Sequence, residues 1–135
     1  MNTVFEHRAL DLTAEKLLVY TALSKHLFYF RQHIQKFVLE KGRVPLNPFM
    51  TFDYFLLDTL DRDVIREANN NLVRHADEIW VFGSVSNGVL AEVRQARIQG
   101  KRVCYFAVRN SREIEEIPVE KVEMENEVEA FRSEL

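Results

Sequence analysis

The chain has 135 residues, of which 47% are apolar and 29% charged, with a formal net charge of −3. That length suits a single domain with its own core and no need of staples. The charge offers a nucleic-acid backbone no attraction, and no stretch approaches the roughly 18 apolar residues of a membrane span. Residues 1–16 mix charges and lack the apolar centre of a signal peptide, so a cytoplasmic location is expected. Cys104 is the only cysteine, which excludes an internal disulfide and fits a reducing compartment. Its apolar neighbours make it a buried small hydrophobe.

Residues 17–23 form an apolar run rich in strand formers, expected as a central strand. Ser24 stands where it caps a helix whose buried face carries Leu27, Phe30, Ile34, Phe37 and Val38. Lys41 and Gly42 close that helix. Residues 43–46 read as a short strand ended by Asn47 and Pro48. Residues 49–59 hold Phe49, Phe52, Tyr54, Phe55, Leu56 and Leu57, and a loop or short helix this aromatic must cover either core or ligand. The next helix starts near Asp61 or Asp63 and runs through Val64, Ala68, Leu72 and His75. Residues 78–82 are a third strand, 87–99 a third strong helix with Val89, Val93 and Ala96 on one face, and 102–108 a fourth strand.

Strands alternating with helices predict a three-layer, flavodoxin-like (doubly wound) α/β domain around a parallel sheet. Residues 1–16 are expected as an N-terminal arm, 17–108 as the α/β core and 109–135 as an acidic extension. From Ser111 onward nine Glu stand against Arg112, Lys121 and Arg132, which reads as solvated surface. Within that extension residues 121–124 are the candidate for a further strand, and 127–135 for a docking helix.

Ligands of doubly wound sheets sit at the carboxyl ends of the strands, near the switch in strand order. The segments there are residues 21–24, 47–55 and 83–88. They offer Tyr20, Ser24, Lys25, Asn47, a set of aromatics, Ser84, Ser86, Asn87 and, one turn into the third helix, Glu92. A strand end, a glycine-bearing loop and a helix N-terminus make an anion site. Residues 83–88 have the glycine spacing of a phosphate loop but continue with Val89 and Leu90 instead of Lys and Ser or Thr, and no Gly-x-Gly-x-x-Gly follows a strand. The histidines are too scattered for a zinc site. Taken alone, Glu92 is either a catalytic group or a helix carboxylate paired with Arg94 or Arg97. Residues 69–71, three asparagines, are either a polar helix face or part of a pocket. Trp80 and Phe82 belong to the core, and Asp77 reads as a strand-start residue that caps local amides.

Ala76-Asp77, then Ser86-Asn87-Gly88-Val89-Leu90-Ala91-Glu92, then Ala96 before a basic-apolar strand, resembles the nucleoside 2-deoxyribosyltransferase superfamily. The likeness is greatest to its small 2'-deoxynucleoside 5'-phosphate N-hydrolases and their relatives. Gly42 to Pro48 resembles the second strand of the same group, so the likeness covers residues 17–108. The resemblance implies cleavage of an N-glycosidic bond in a nucleoside or nucleoside 5'-monophosphate, by hydrolysis or deoxyribosyl transfer. Glu92 matches the glutamate that attacks the anomeric carbon. Ser86 matches the serine that binds the 5'-phosphate, joined by backbone donors at Asn87 and Gly88. Asn69 falls where the superfamily carries an aspartate that assists the leaving base. Asn47, Tyr54 and Lys25 are further pocket candidates. No metal or organic cofactor is required, the partner is a small-molecule nucleoside or nucleotide, and a homodimer is expected. Two departures point to an alternative, a nucleotide-binding or sensing module without turnover. An amide replaces the aspartate and cannot donate a proton as an acid, and residues 21–25 lack the glycine-rich, basic first loop of the phosphate hydrolases.

Overall fold

The computed structural model describes residues 3–110 and 112–135. Strand β1 (Leu18–Leu23) leads through a 3-10 stretch, Lys25–Phe30, into helix α1 (Arg31–Glu40) and strand β2 (Val44–Leu46). Helices α2 (Pro48–Thr51), α3 (Tyr54–Thr59) and α4 (Arg62–His75) precede strand β3 (Glu78–Phe82). Helix α5 (Asn87–Ile98) and strands β4 (Arg102–Arg109) and β5 (Glu113–Ile117) complete the sheet, in the order β2-β1-β3-β4-β5. All pairings are parallel except β4 with β5. The architecture is the expected flavodoxin-like α/β sheet, with an antiparallel edge added. Strand order reverses at β1, between β2 and β3, so the ligand crevice of such a sheet opens above the ends of β1 and β3.

The central strands are apolar on both faces because both faces are covered. Side chains alternate with period two. Tyr20 and Ala22 of β1, Ile79 and Val81 of β3 and Tyr105 of β4 pack with Val73, Val89, Val93 and Ala96 of α4 and α5. Val19, Leu23, Trp80, Phe82, Cys104 and Phe106 turn the other way, against Ile34 and Val38 of α1. Trp80, Phe82 and Cys104 are therefore core residues, as their sequence context predicts. Register puts Tyr20 beside Ile79.

Asp77 has a structural task. Its Oδ2 accepts from Leu18 N–H at 2.7 Å, and its own N–H donates to Leu18 O at 2.8 Å. These bonds tie the start of β1 to the approach to β3. Residues 49–59 resolve into two short helices, α2 capped by Asn47 Oδ1 and α3 by Asp53 Oδ1.

Most glutamates of the C-terminal region are exposed, as expected, while apolar residues between them dock on the core. β5 joins the sheet although its Glu-Ile-Glu-Glu-Ile pattern hides the strand period, and its glutamates are exposed on an edge, where charge discourages pairing with another chain. Residues 121–124 do not form the expected strand. Val119–Lys121 is a 3-10 turn, and Met124 makes one parallel bridge, to Val85. Residues 127–135 belong to a 3-10 stretch, Asn126–Glu134, instead of an α-helix. Val122, Met124 and Val128 are buried in the same core as α5. Apolar spacing inside an acidic segment drives this docking, and net charge concealed it. Among the described residues no helix is long and apolar enough to cross a membrane.

Candidate active site

Three side chains meet where β1, α4 and α5 face one another. Tyr20 is fully buried and points to the face of the sheet covered by α4 and α5. Asn69 lies one turn before buried Val73 on α4, hence on the same face. Glu92 follows buried Val89 by three residues and precedes buried Ala96 by four, so helical spacing places it at the edge of the apolar stripe of α5. Tyr20 Oη contacts Glu92 Oε2 and lies 2.9 Å from Asn69 Oδ1. Asn69 Nδ2 donates to Glu92 Oε2 at 3.2 Å. Burial raises the Glu92 pKa from 4.5 to about 8. Arg94 does not neutralise it, being paired with Glu134 across 2.5 Å.

The triad borders a cavity of about 860 Å³. Ser86, Asn87, Gly88, Lys25 and Ser24 line it together with Tyr20, Asn69 and Glu92. Phe49, Phe52, Leu57 and Ile65 supply apolar surface. Ser86 is the N-cap of α5, its Oγ accepting from Val89 N–H at 3.3 Å. The first intrahelical bond runs from Leu90 N–H to Ser86 O at 2.9 Å. The Asn87 and Gly88 amides precede that bond, and helix N-terminal amides of this kind favour an anion or a hydroxyl oxygen. Glu92 follows Ser86 by six positions, about 9 Å along the helix axis, which leaves room for a pentose between the side chains.

Of the residues singled out in the sequence, Glu92, Asn69, Ser86, Asn87, Gly88 and Lys25 share this cavity. Asn47 and Tyr54 are not among its lining residues. Asn47 is 2% exposed because its side chain caps α2, accepting from Phe49 N–H at 3.0 Å. Tyr54 is 60% exposed and meets Phe28 at a ring distance of 5.8 Å. The asparagine run divides: Asn69 and Asn70 line the cavity, with Asn70 Oδ1 accepting from Gln95 Nε2 at 2.9 Å, while Asn71 is exposed and bonds Glu67 O. Sequence reasoning left Tyr20 without a role, although its place near the end of the first strand was a signal. It also left out Glu125 and Glu127, which line the cavity from the C-terminal segment. Glu125 arrives there because its N–H donates to Val85 O, and Val85 N–H to Glu123 O, both at 2.9 Å. Among the described residues no three His, Cys, Asp or Glu side chains are grouped to hold a metal ion.

A family model described as a domain of unknown function, DUF7768, matches residues 20–106. The chain belongs to that family. The matched DUF7768 segment contains Tyr20, Asn69, Ser86 and Glu92 and stops before β5 and Glu125. No curated protein matches the chain by sequence. Among solved structures, the chain is similar to a 2-desoxiribosyltransferase from Leishmania mexicana, with a TM-score of 0.53 and 22% sequence identity. The match covers 70% of this chain and 65% of that one, so the chain spans about two-thirds of its relative's length. At this identity the likeness is one of fold.

Proposed function

We propose that this chain cleaves the N-glycosidic bond of a nucleoside or nucleoside 5'-monophosphate, with Glu92 as nucleophile. The observation that carries the reading is a carboxyl group on the wall of a cavity large enough for a nucleoside, held by Tyr20 and Asn69 and lying little more than one turn from a helix N-terminus. The ionised Glu92 oxygen bonds the anomeric carbon as the C–N bond breaks, and the electron pair leaves with the base, which takes up a proton from solvent water. Water then displaces Glu92 and gives a free sugar; a second base in its place gives transfer. Ser86 and the Asn87 and Gly88 amides hold the 5' end of the sugar, and the Phe49, Phe52 and Leu57 wall takes the base.

Asn69 favours a second reading, binding without turnover. Its amide orients partners but supplies no acidic proton to a departing base. The deciding experiment is base release from a panel of nucleosides and monophosphates by the wild type and by Glu92→Gln. Release that vanishes in Glu92→Gln supports the enzyme. Equal release by both proteins removes Glu92 from the chemistry. No release by either, with thermal stabilisation by the same compounds, selects the binding module.

A further inference from the structure

Two buried side-chain oxygens in the cavity wall lack partners, one of them on a Glu125 side chain that is otherwise partly exposed. Ser24 is only 4% exposed, and its Oγ makes no hydrogen bond among the described residues. Glu125 Oε2 is likewise buried and unpartnered, while its Oε1 stands 3.8 Å from His26 Nε2. Both residues line the cavity. Backbone geometry brings both to the Ser86 end. Glu125 N–H donates to the carbonyl of Val85, the residue before Ser86. The turn that follows Ser24 packs against the Gly83 loop, where a Cβ on Gly83 would meet Leu27 Cδ1 at 2.6 Å.

A buried carboxylate oxygen without a donor is costly, and a ligand that supplies the donor relieves that cost. A sugar hydroxyl does so: its O–H donates to Glu125 Oε2, while its oxygen accepts from Ser24 or from the α5 amides. A phosphate dianion presents only acceptors. It would leave Glu125 Oε2 unpaired and set like charges side by side. The cations of the cavity do not overturn this. Arg66 pairs with Asp63 at 2.8 Å, His26 faces Glu125, and Lys25 is exposed to solvent on a cavity that Glu125 and Glu127 also line.

We propose that Ser24 and Glu125 form a subsite for the 5'-hydroxyl of the sugar, and that Glu125 directs the chain toward nucleosides and away from their 5'-monophosphates. The inference rests on the N-glycosidic reading, because Glu92 at the anomeric carbon is what turns the 5' end toward Ser86.

The test measures base release and calorimetric binding for the common 2'-deoxynucleosides, the matching ribonucleosides and the 5'-monophosphates of both, with wild type, Glu125→Gln and Ser24→Ala. Glu125→Gln keeps the backbone bonds to Val85, so the fold is retained. The wild type prefers nucleosides by about tenfold or more, the worth of one charge-assisted hydrogen bond. Glu125→Gln narrows or reverses that preference, and Ser24→Ala weakens the nucleosides alone. A wild-type preference for monophosphates, or an unchanged preference in Glu125→Gln, overturns the inference. The two readings separate. Base release with identical preferences in wild type and Glu125→Gln keeps the glycosidase and removes the subsite. Nucleoside binding that Glu125→Gln abolishes, without base release, keeps the subsite and removes the glycosidase. Failure of every compound to bind removes both.

Discussion

Tyr20 and Glu92 stand 72 residues apart in the chain and meet oxygen to oxygen beside Asn69. The tyrosine has one hydroxyl hydrogen for two neighbours, so the arrangement depends on where the Glu92 proton is. With Glu92 protonated, the three contacts close into a ring: Glu92 donates to Tyr20, Tyr20 to Asn69 Oδ1, and Asn69 Nδ2 to Glu92. With Glu92 ionised, Tyr20 turns its hydrogen to the carboxylate and Asn69 Oδ1 loses its donor. Burial and the closed ring both favour the proton at rest.

That preference predicts an alkaline rate profile. With a Glu92 pKa of about 8, the nucleophilic form is the minor one at neutral pH. For the free enzyme, kcat/KM for base release is expected to rise with unit slope below about pH 8 and to level above it. A profile flat between about pH 6 and pH 9 would show that Glu92 ionisation does not limit the reaction.

The same shift sets a stability trend. The folded protein holds the Glu92 proton to a higher pH than the unfolded chain does, so between the ordinary value of 4.5 and about 8 the native state binds more protons. Stability therefore falls as pH rises through that window and stops falling above it. Glu92→Gln removes the titration and keeps the shape. Its melting temperature is expected to match the wild type near pH 5 and to exceed it near pH 9. A difference independent of pH refutes the assignment.

Tyr20→Phe isolates the hydroxyl. The ring stays in the core, while the ionised carboxylate loses one of its two side-chain donors. Loss of a bond to a charged group lowers kcat/KM by roughly 10- to 100-fold. Because that bond stabilises the charged form, its loss also moves the rising limb of the profile to higher pH. A lower rate at an unmoved pH midpoint would assign Tyr20 to packing alone.

Much of the fold was legible because parallel strands covered on both faces are apolar throughout, and α1, α4 and α5 keep helical spacing. Glu92 was legible for a related reason: three residues after Val89, it falls beside the apolar stripe of α5 instead of opposite it. Tyr20 was harder to read, since a tyrosine in an apolar strand looks like core until the facing helices are placed. The C-terminal segment was least legible. Its glutamates dominate the composition, yet burial follows Val122, Met124 and Val128, and the bond from Glu125 to Val85 has no local signature. Asn47 misled because an N-cap asparagine and a ligand-binding one look alike before the chain is folded.

Alanine substitution at two glycines, Gly83 and Gly88, separates folding from binding most directly. Gly83 adopts φ +76, a left-handed conformation that disfavours a side chain, and its added Cβ would press on Leu27 Cδ1 at 2.6 Å. Gly83→Ala is expected to lower stability by about 1–3 kcal/mol, read by denaturant titration. Gly88 has no unusual φ, and a Cβ there would meet nothing within 4 Å. In the first turn of α5, alanine leaves stability unchanged or slightly raised. The new methyl stands on the cavity lining, however, beside the amides that the sugar must approach. Gly88→Ala is therefore expected to raise KM several-fold at an unaltered melting temperature. If KM is also unaltered, no ligand comes close to the α5 N-terminus, and the orientation of the sugar between Ser86 and Glu92 is wrong.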